Sequence, residues 1–321
     1  MFYVIIMINE ILDKLEGRIS EMGFSKRFSP ENLFLPIDYT LDKSGKRIRP
    51  LFCILSHHLF SDCMEDVISQ AVALEIFHNF TLIHDDLMDK SPIRRNKETV
   101  YKKWNDNIAI LSGDAMSILS YHYLSQNTDE KKLPELLRVF NSVALDVCIG
   151  QQYDMDFESL DEVGEDDYLN MIRLKTAVLI GGSMQIGAIQ AGADTNICQK
   201  LYDIGVNIGL AFQMQDDILD VYSDENTFGK PIGNDICNSK KTFLLIYTRN
   251  NLSLEDNIYL SHLLSLPKDE NKRKIKEVTR LYNKVSAREN IESRATAYIE
   301  KAFSMLEEIP VDSRRKEPLK N

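Results

Sequence analysis

An all-α protein is what this sequence predicts, and three observations predict it. Apolar residues recur at three- and four-residue intervals through most of the chain, the spacing of one helix face. No segment shows the strict apolar–polar alternation of a half-buried strand. Gly and Pro, the residues that interrupt helices, number only 14 and 9 in 321 residues. There is no internal repeat and no low-complexity linker. The expectation is therefore a helical protein long enough for one large domain or two small ones, with 1–8 and 312–321 frayed.

The opening "MFYVIIMINE" holds an eight-residue apolar run without a positive flank or a cleavage-like site. It is too short to span a bilayer, which takes ~20 residues, and it is a poor signal peptide. Met7 is the expected natural start. "SGKRIRP" (44–50) sets Lys46, Arg47 and Arg49 just ahead of the apolar helix "PLFCILSHHLF" (50–60). A long helix follows at 68–89 and closes on Asp85, Asp86 and Asp89. The polar connector "SPIRRNKETV" then carries Arg94 and Arg95. Helical periodicity returns at 109–126, 133–158 and 168–192, the last containing Lys175 and Thr176. The helix at 200–224 carries Gln213 and closes on Asp216, Asp217 and Asp220. A second polar connector holds Lys230 and Lys240, and a further helix covers 241–250. Several of these helices are apolar on more than one side and should be central.

A formal net charge of −11 argues against nonspecific nucleic-acid binding. The five cysteines, at 53, 63, 148, 198 and 237, form no CxxC pair. They read as free thiols in a reducing compartment, the cytoplasm.

At average Asp usage a single D-D-x-x-D has about a 0.1 chance of arising in a chain this long. Two copies, each closing a long apolar helix, are much rarer. Residues i and i+4 share a helix face, so Asp85 with Asp89, and Asp216 with Asp220, form acidic patches whose charges repel. A divalent cation would relieve that repulsion. Oxygen donors without His or Cys at ligand spacing suit magnesium, which takes one or two carboxylates plus phosphate oxygens. Either cluster alone is equally an ordinary solvated helix end. The basic residues near both clusters are suited to phosphate: arginine by its bidentate fork, lysine as a point charge. His78 precedes Asp85 by two turns on the same face and reads equally as a satisfied core histidine or a phosphate ligand. Gln151 and Asp154, three apart inside a helix, read as an ordinary polar stripe.

From about residue 44 to 245 the chain resembles the trans-isoprenyl diphosphate synthases, or polyprenyl synthetases. The resemblance lies in "GKRIRP", "HNFTLIHDDLMD", "RRNKETV", "SGDAM", "GQQYD", "KTA", "FQMQDDILD", "GKPIGND" and "KKT", in the family's order and spacing. It implies a single domain over residues 1–321 with the all-α isoprenoid synthase fold, a helical bundle around a deep central cavity, usually as a homodimer. It also implies three magnesium ions held between the two aspartate-rich helices. By position, Asp85, Asp89 and Asp216 look like the main metal ligands, supported by Asp86, Asp217 and Asp220. Lys46, Arg49, His78 and Arg95 look like the isopentenyl diphosphate site. Arg94, Lys175, Thr176, Gln213 and Lys230 look like the allylic diphosphate site, with Lys240 nearby. The implied reaction joins isopentenyl diphosphate to dimethylallyl, geranyl or farnesyl diphosphate. Phe80, five positions before the first Asp, would floor the product pocket, with Phe77 as a second stop. Thr81 leaves one aromatic where some relatives have two. The pattern favours a twenty-carbon product over fifteen.

The chain departs from the family at Ser44-Gly45, where two glycines are usual, at Asn96 and Glu98, and at Ser239, a usual glycine position. Three other readings compete. A terpene cyclase on the same fold would not need Lys46, Arg49 and Arg95. A noncatalytic regulatory subunit would usually lose aspartates. A plain helical scaffold would leave the paired acidic and basic sets unexplained.

Overall fold

The computed structural model describes residues 2–42, 45–223 and 233–320. The first helices are α1 (Phe2–Met22), α2 (Phe24–Arg27), α3 (Glu31–Leu41), α4 (Ile48–His58), α5 (Ile68–Met88), α6 (Val100–Lys103) and α7 (Asp106–Ser125). Then come α8 (Leu133–Ser159), α9 (Glu165–Ile172), a π turn at Arg173–Ala177, α10 (Val178–Ala191) and α11 (Thr195–Tyr222). The last are α12 (Asn234–Cys237), α13 (Phe243–Asn251), α14 (Leu254–Leu264), α15 (Asn271–Lys284), α16 (Ala287–Glu307) and α17 (Ser313–Lys320). Between α5 and α6 sits a small hairpin, β1 (Ile93–Arg94) against β2 (Lys97–Glu98). Among the described residues, no helix is long and apolar enough to cross a membrane.

The chain gathers into two compact units. One comprises Met1–Ser142, Ile180–Tyr202 and Leu306–Asn321; the other comprises Val143–Leu179 and Asp203–Met305. In the first unit α5 is the axis. Every residue from Ile68 to Phe77 is buried, because this helix is apolar on all sides and packs against both α4 and α7. The second unit has its own core, built from Tyr168, Met214, Ile218, Phe243, Leu260 and Tyr282 with their neighbours.

Periodicity finds the long central helices to within a few residues, but it names none before residue 48 or after 251. Those helices carry their apolar residues on a narrow face. In α15, "NKRKIKEVTRLYNK", only Lys274, Val278, Leu281 and Tyr282 are buried. The two ends differ from the expectation of fraying. Val4 and Ile11 of α1 are buried. At the other end α17 is docked: Leu319 is buried, Lys316 Nζ donates to the Glu307 carbonyl at 2.7 Å, and Arg315 donates to the His58 carbonyl at 2.6 Å. A charged tail is held here by its charges, a contact that hydropathy does not register. The helix expected over 168–192 is interrupted at Arg173–Ala177 by the π turn.

Candidate active site

In the first unit, α5 ends at the first acidic cluster. Asp85 is half-buried, Asp86 is buried and Asp89 is exposed. The hairpin folds back over this helix end through a tight turn in which Arg95 and Asn96 both have positive φ, 52° and 60°. Asn tolerates that left-handed conformation better than most residues. The turn brings Arg94 onto the aspartates: its Nε donates to Asp86 Oδ1 at 2.7 Å and its Nη2 to Asp85 Oδ2 at 3.1 Å. Burial nevertheless pushes the Asp86 carboxyl up to about 6; Arg94 pulls it down, while Asp85 and Asp89 add to the rise. The cluster thus carries more negative charge than one arginine offsets, a donor set suited to a hard divalent cation.

The basic residues of this unit divide into two kinds. Arg47 is buried and structural: it donates to Glu16 at 2.7 Å, to Glu75 at 2.6 Å and to the Leu41 carbonyl at 2.6 Å. Arg49 Nη1 lies 3.0 Å from His78 Nε2. A guanidinium can only donate, so the imidazole accepts and is neutral. Burial first, then Arg49, Arg95, Arg94 and Arg47, drive the His78 pKa well below its ordinary value. Burial likewise lowers Arg49 to about 10. Lys46 is exposed and Arg95 half-buried. A Cβ at Gly45 would lie 3.0 Å from Arg95 Nη1, the end of a flexible side chain; Ser44 lies outside the described residues.

In the second unit, Lys175 and Thr176 ride on the π turn. Gly150 of α8 and Gly209 of α11 press against that turn, and a Cβ on them would come within 2.2 Å of the Lys175 N and 2.5 Å of the Ala177 Cα. A side chain at either position would force the turn away. Lys175 Nζ donates to Asp154 Oδ2 at 2.5 Å, and Lys240 Nζ stands 3.7 Å from the same oxygen. Burial opposes the charge on Asp154, but Lys240 and Lys175 outweigh it and hold the carboxyl below its usual range. Thr176 Oγ1 donates to Gln213 Oε1 at 3.0 Å, and Gln213 Nε2 donates to Asp217 Oδ1 at 3.1 Å.

The second acidic cluster separates by direction. Asp216 is half-buried, whereas Asp217 and Asp220 are buried. Asp217 also accepts from the Tyr168 hydroxyl and, at 3.4 Å, from the Phe243 N–H. Burial, with Asp235 nearby, raises it to about 7. Asp220 accepts from the Asp235 N–H at 3.0 Å. Lys230 lies outside the described residues. Among the described residues, no three His, Cys, Asp or Glu side chains converge to hold an ion by protein ligands alone. Magnesium suits such carboxylates, because substrate oxygens and water complete its shell.

Phe77 is buried, with its ring 5.1 Å from Phe140, while Phe80 is half-buried, its ring tilted against Phe77 at 5.4 Å and edge-on to His84 at 4.9 Å. The Thr81 hydroxyl donates to the His78 carbonyl at 2.8 Å. Sequence reasoning missed Glu75 and Asp154 as partners of the cationic residues. A lone acid inside the apolar run "AVALEIF" was a usable signal for Glu75, since a buried carboxylate needs a counter-charge. Asp154 carried no comparable signal.

A polyprenyl synthetase family model matches residues 30–282. The short chain isoprenyl diphosphate synthase of Methanothermobacter thermautotrophicus is 33% identical over 304 residues, covering 93% of this chain and 92% of that protein. The geranylfarnesyl diphosphate synthase of Aeropyrum pernix is 33% identical over 298 residues, covering 91% and 92%. A crystal structure of a geranylgeranyl pyrophosphate synthase superimposes with a TM-score of 0.91 at 38% identity, over 99% of this chain and 96% of that one.

Proposed function

We propose residue roles on one premise: the chain belongs to the polyprenyl synthetase family. It is accordingly a short-chain trans-prenyltransferase, joining isopentenyl diphosphate to an allylic diphosphate. Asp85, Asp89 and Asp216 ligate magnesium, three ions per active site, with Asp86, Asp217 and Asp220 in support. The metal, when bound, neutralises charge developing on the leaving diphosphate. Arg94, Lys175, Lys230 and Lys240 bind the allylic diphosphate and stabilise the same charge electrostatically. Lys46, Arg49, Arg95 and neutral His78 bind isopentenyl diphosphate. Thr176 and Gln213 turn their dipoles toward the allylic cation; the hydrogen bonds from Thr176 to Gln213 and from Gln213 to Asp217 tie the two side chains together. The departing diphosphate takes the proton lost after carbon–carbon bond formation. No side-chain base is needed, and the tie between His78 and Arg49 agrees with that.

The observation that carries the roles of Lys175 and Thr176 is the π turn. It sets Lys175 and Thr176 side by side, under two glycines that leave it no room to shift. Phe80 floors the product pocket and Phe77, sealed by Phe140, is the second stop, which favours a twenty-carbon product. We also propose a homodimer. Exposed apolar residues on α7, Ile110, Leu111 and Ile118 at 43%, 55% and 72%, are the surface that a second copy would cover. Five free cysteines suit a cytoplasmic protein.

The test is turnover of the purified chain with magnesium, isopentenyl diphosphate and allylic primers, with products resolved by length. A twenty-carbon product is expected, and Phe80→Ala should lengthen it. Wild-type products of thirty carbons or more, or an unchanged distribution in the variant, would remove Phe80 as the floor.

A further inference from the structure

Lys274 lies outside every motif of the sequence. It sits in α15, a helix of the second unit, and is 2% exposed. A lysine so enclosed must have its ammonium met by acceptors. It has three: the Cys237 carbonyl at 3.0 Å, Ser239 Oγ at 2.8 Å and the Leu264 carbonyl at 2.9 Å. Three acceptors saturate an ammonium. Two of them are carbonyls at the C-terminal ends of α12 and α14, where a cation is favoured.

One of the three contacts falls on a strained residue, and a second, to the Cys237 carbonyl, holds the backbone two positions before it. Ser239 has a φ of 54°, the left-handed region that glycine enters easily and serine does not. Its hydroxyl also donates to the Leu264 carbonyl at 3.0 Å. Ser239, in a position where the family usually has glycine, is thus held in a glycine-like conformation by a buried cation. The next residue is Lys240. Its N–H donates to the Asp235 carbonyl at 2.9 Å, and its ammonium faces Asp154.

We infer that Lys274 is a positioning residue for Lys240: by clamping the backbone around Ser239, it fixes the turn that aims Lys240 at Asp154 and the diphosphate. The inference rests on the role given to Lys240 above. A purely structural lysine would stabilise the helix ends and leave substrate affinity alone.

The experiment is a double-mutant cycle in the full-length enzyme. Lys274→Met keeps the aliphatic stem and removes the donors. It should raise the KM for the allylic diphosphate about tenfold, the scale of a lost charge-assisted hydrogen bond. The KM for isopentenyl diphosphate should stay within about twofold. In a Lys240→Ala background, Lys274→Met should cost no further allylic affinity, because the group it aims is gone. Ser239→Ala, a milder change, should show the same non-additivity and replaces Lys274→Met if that variant does not fold. Additive losses, or equal effects on both substrates, would overturn the inference alone. An unchanged allylic KM in Lys240→Ala would overturn the role of Lys240 and this inference together.

Discussion

The two D-D-x-x-D clusters share a spelling and differ in chemistry. In the first, the buried middle aspartate, Asp86, is paired to a charge, the guanidinium of Arg94. In the second, the corresponding Asp217 is met by neutral donors: the Tyr168 hydroxyl, the Gln213 amide and the Phe243 N–H. Burial is the first cause that raises both carboxyls, Asp217 to about 7 and Asp86 to about 6. A repeated motif therefore specifies spacing on a helix, while the elements packed over it decide which carboxylates turn outward and what meets those that turn in.

The most severe way to break the comparison is to remove the half-buried aspartate of each cluster. Asp85→Ala and Asp216→Ala should each lower kcat about a thousandfold or more with the fold retained, as expected for loss of metal-assisted charge stabilisation. Near-normal steady-state turnover in one variant would show that only the other cluster serves catalysis.

A smaller effect sharpens the contrast between charged and neutral partners. Without metal, Arg94→Ala should destabilise the protein by about 2 kcal/mol, because it strands a buried carboxylate. Added magnesium should restore part of that loss. Tyr168→Phe should cost about 1 kcal/mol, the scale of one hydrogen bond to Asp217, and magnesium should restore none of it. Thermal melts with and without magnesium measure both. Equal restoration in the two variants would mean that the clusters do not differ in this way.

The smallest effect is the part of the pH dependence of stability that His78 contributes in the first region. The folded protein keeps His78 neutral, with its pKa well below the ordinary 6.5, because of burial and then Arg49 and its neighbours. The unfolded chain takes up a proton as pH falls through about 6.5, and the folded one does not. The His78 contribution to stability is thus fully present above that pH and is lost as pH drops toward the folded value. His78→Gln should flatten this part of the stability profile in denaturant titrations between about pH 5 and 7. An unaltered slope would place the acid sensitivity elsewhere.

Much of the candidate site was legible because its signals are local. Asp85 and Asp89 share a face through helix periodicity alone, and the ordered set of motifs is enough to place the chain among prenyl synthases. The fold class was legible for the same reason, since the central helices are long and broadly apolar. The terminal and C-terminal helices were not, because their burial depends on partners far away in sequence, as with Arg315 against His58.

What the sequence by itself determined is the helical class, the two acidic helix ends, the basic segments near them and the reaction they imply. These follow from residue type and short-range spacing. Only the tertiary structure decided that Arg47 is a buried tie to Glu16 and Glu75 while Arg49 turns to His78. It alone decided that Asp217 points into the core, that Lys175 and Lys240 share Asp154, and that Lys274 holds Ser239 from 35 residues away. The physical reason is the same in each case. A buried charge or polar group is tolerated only where packing brings its partner to within hydrogen-bonding distance, and that partner comes from another helix, at a separation no local pattern encodes.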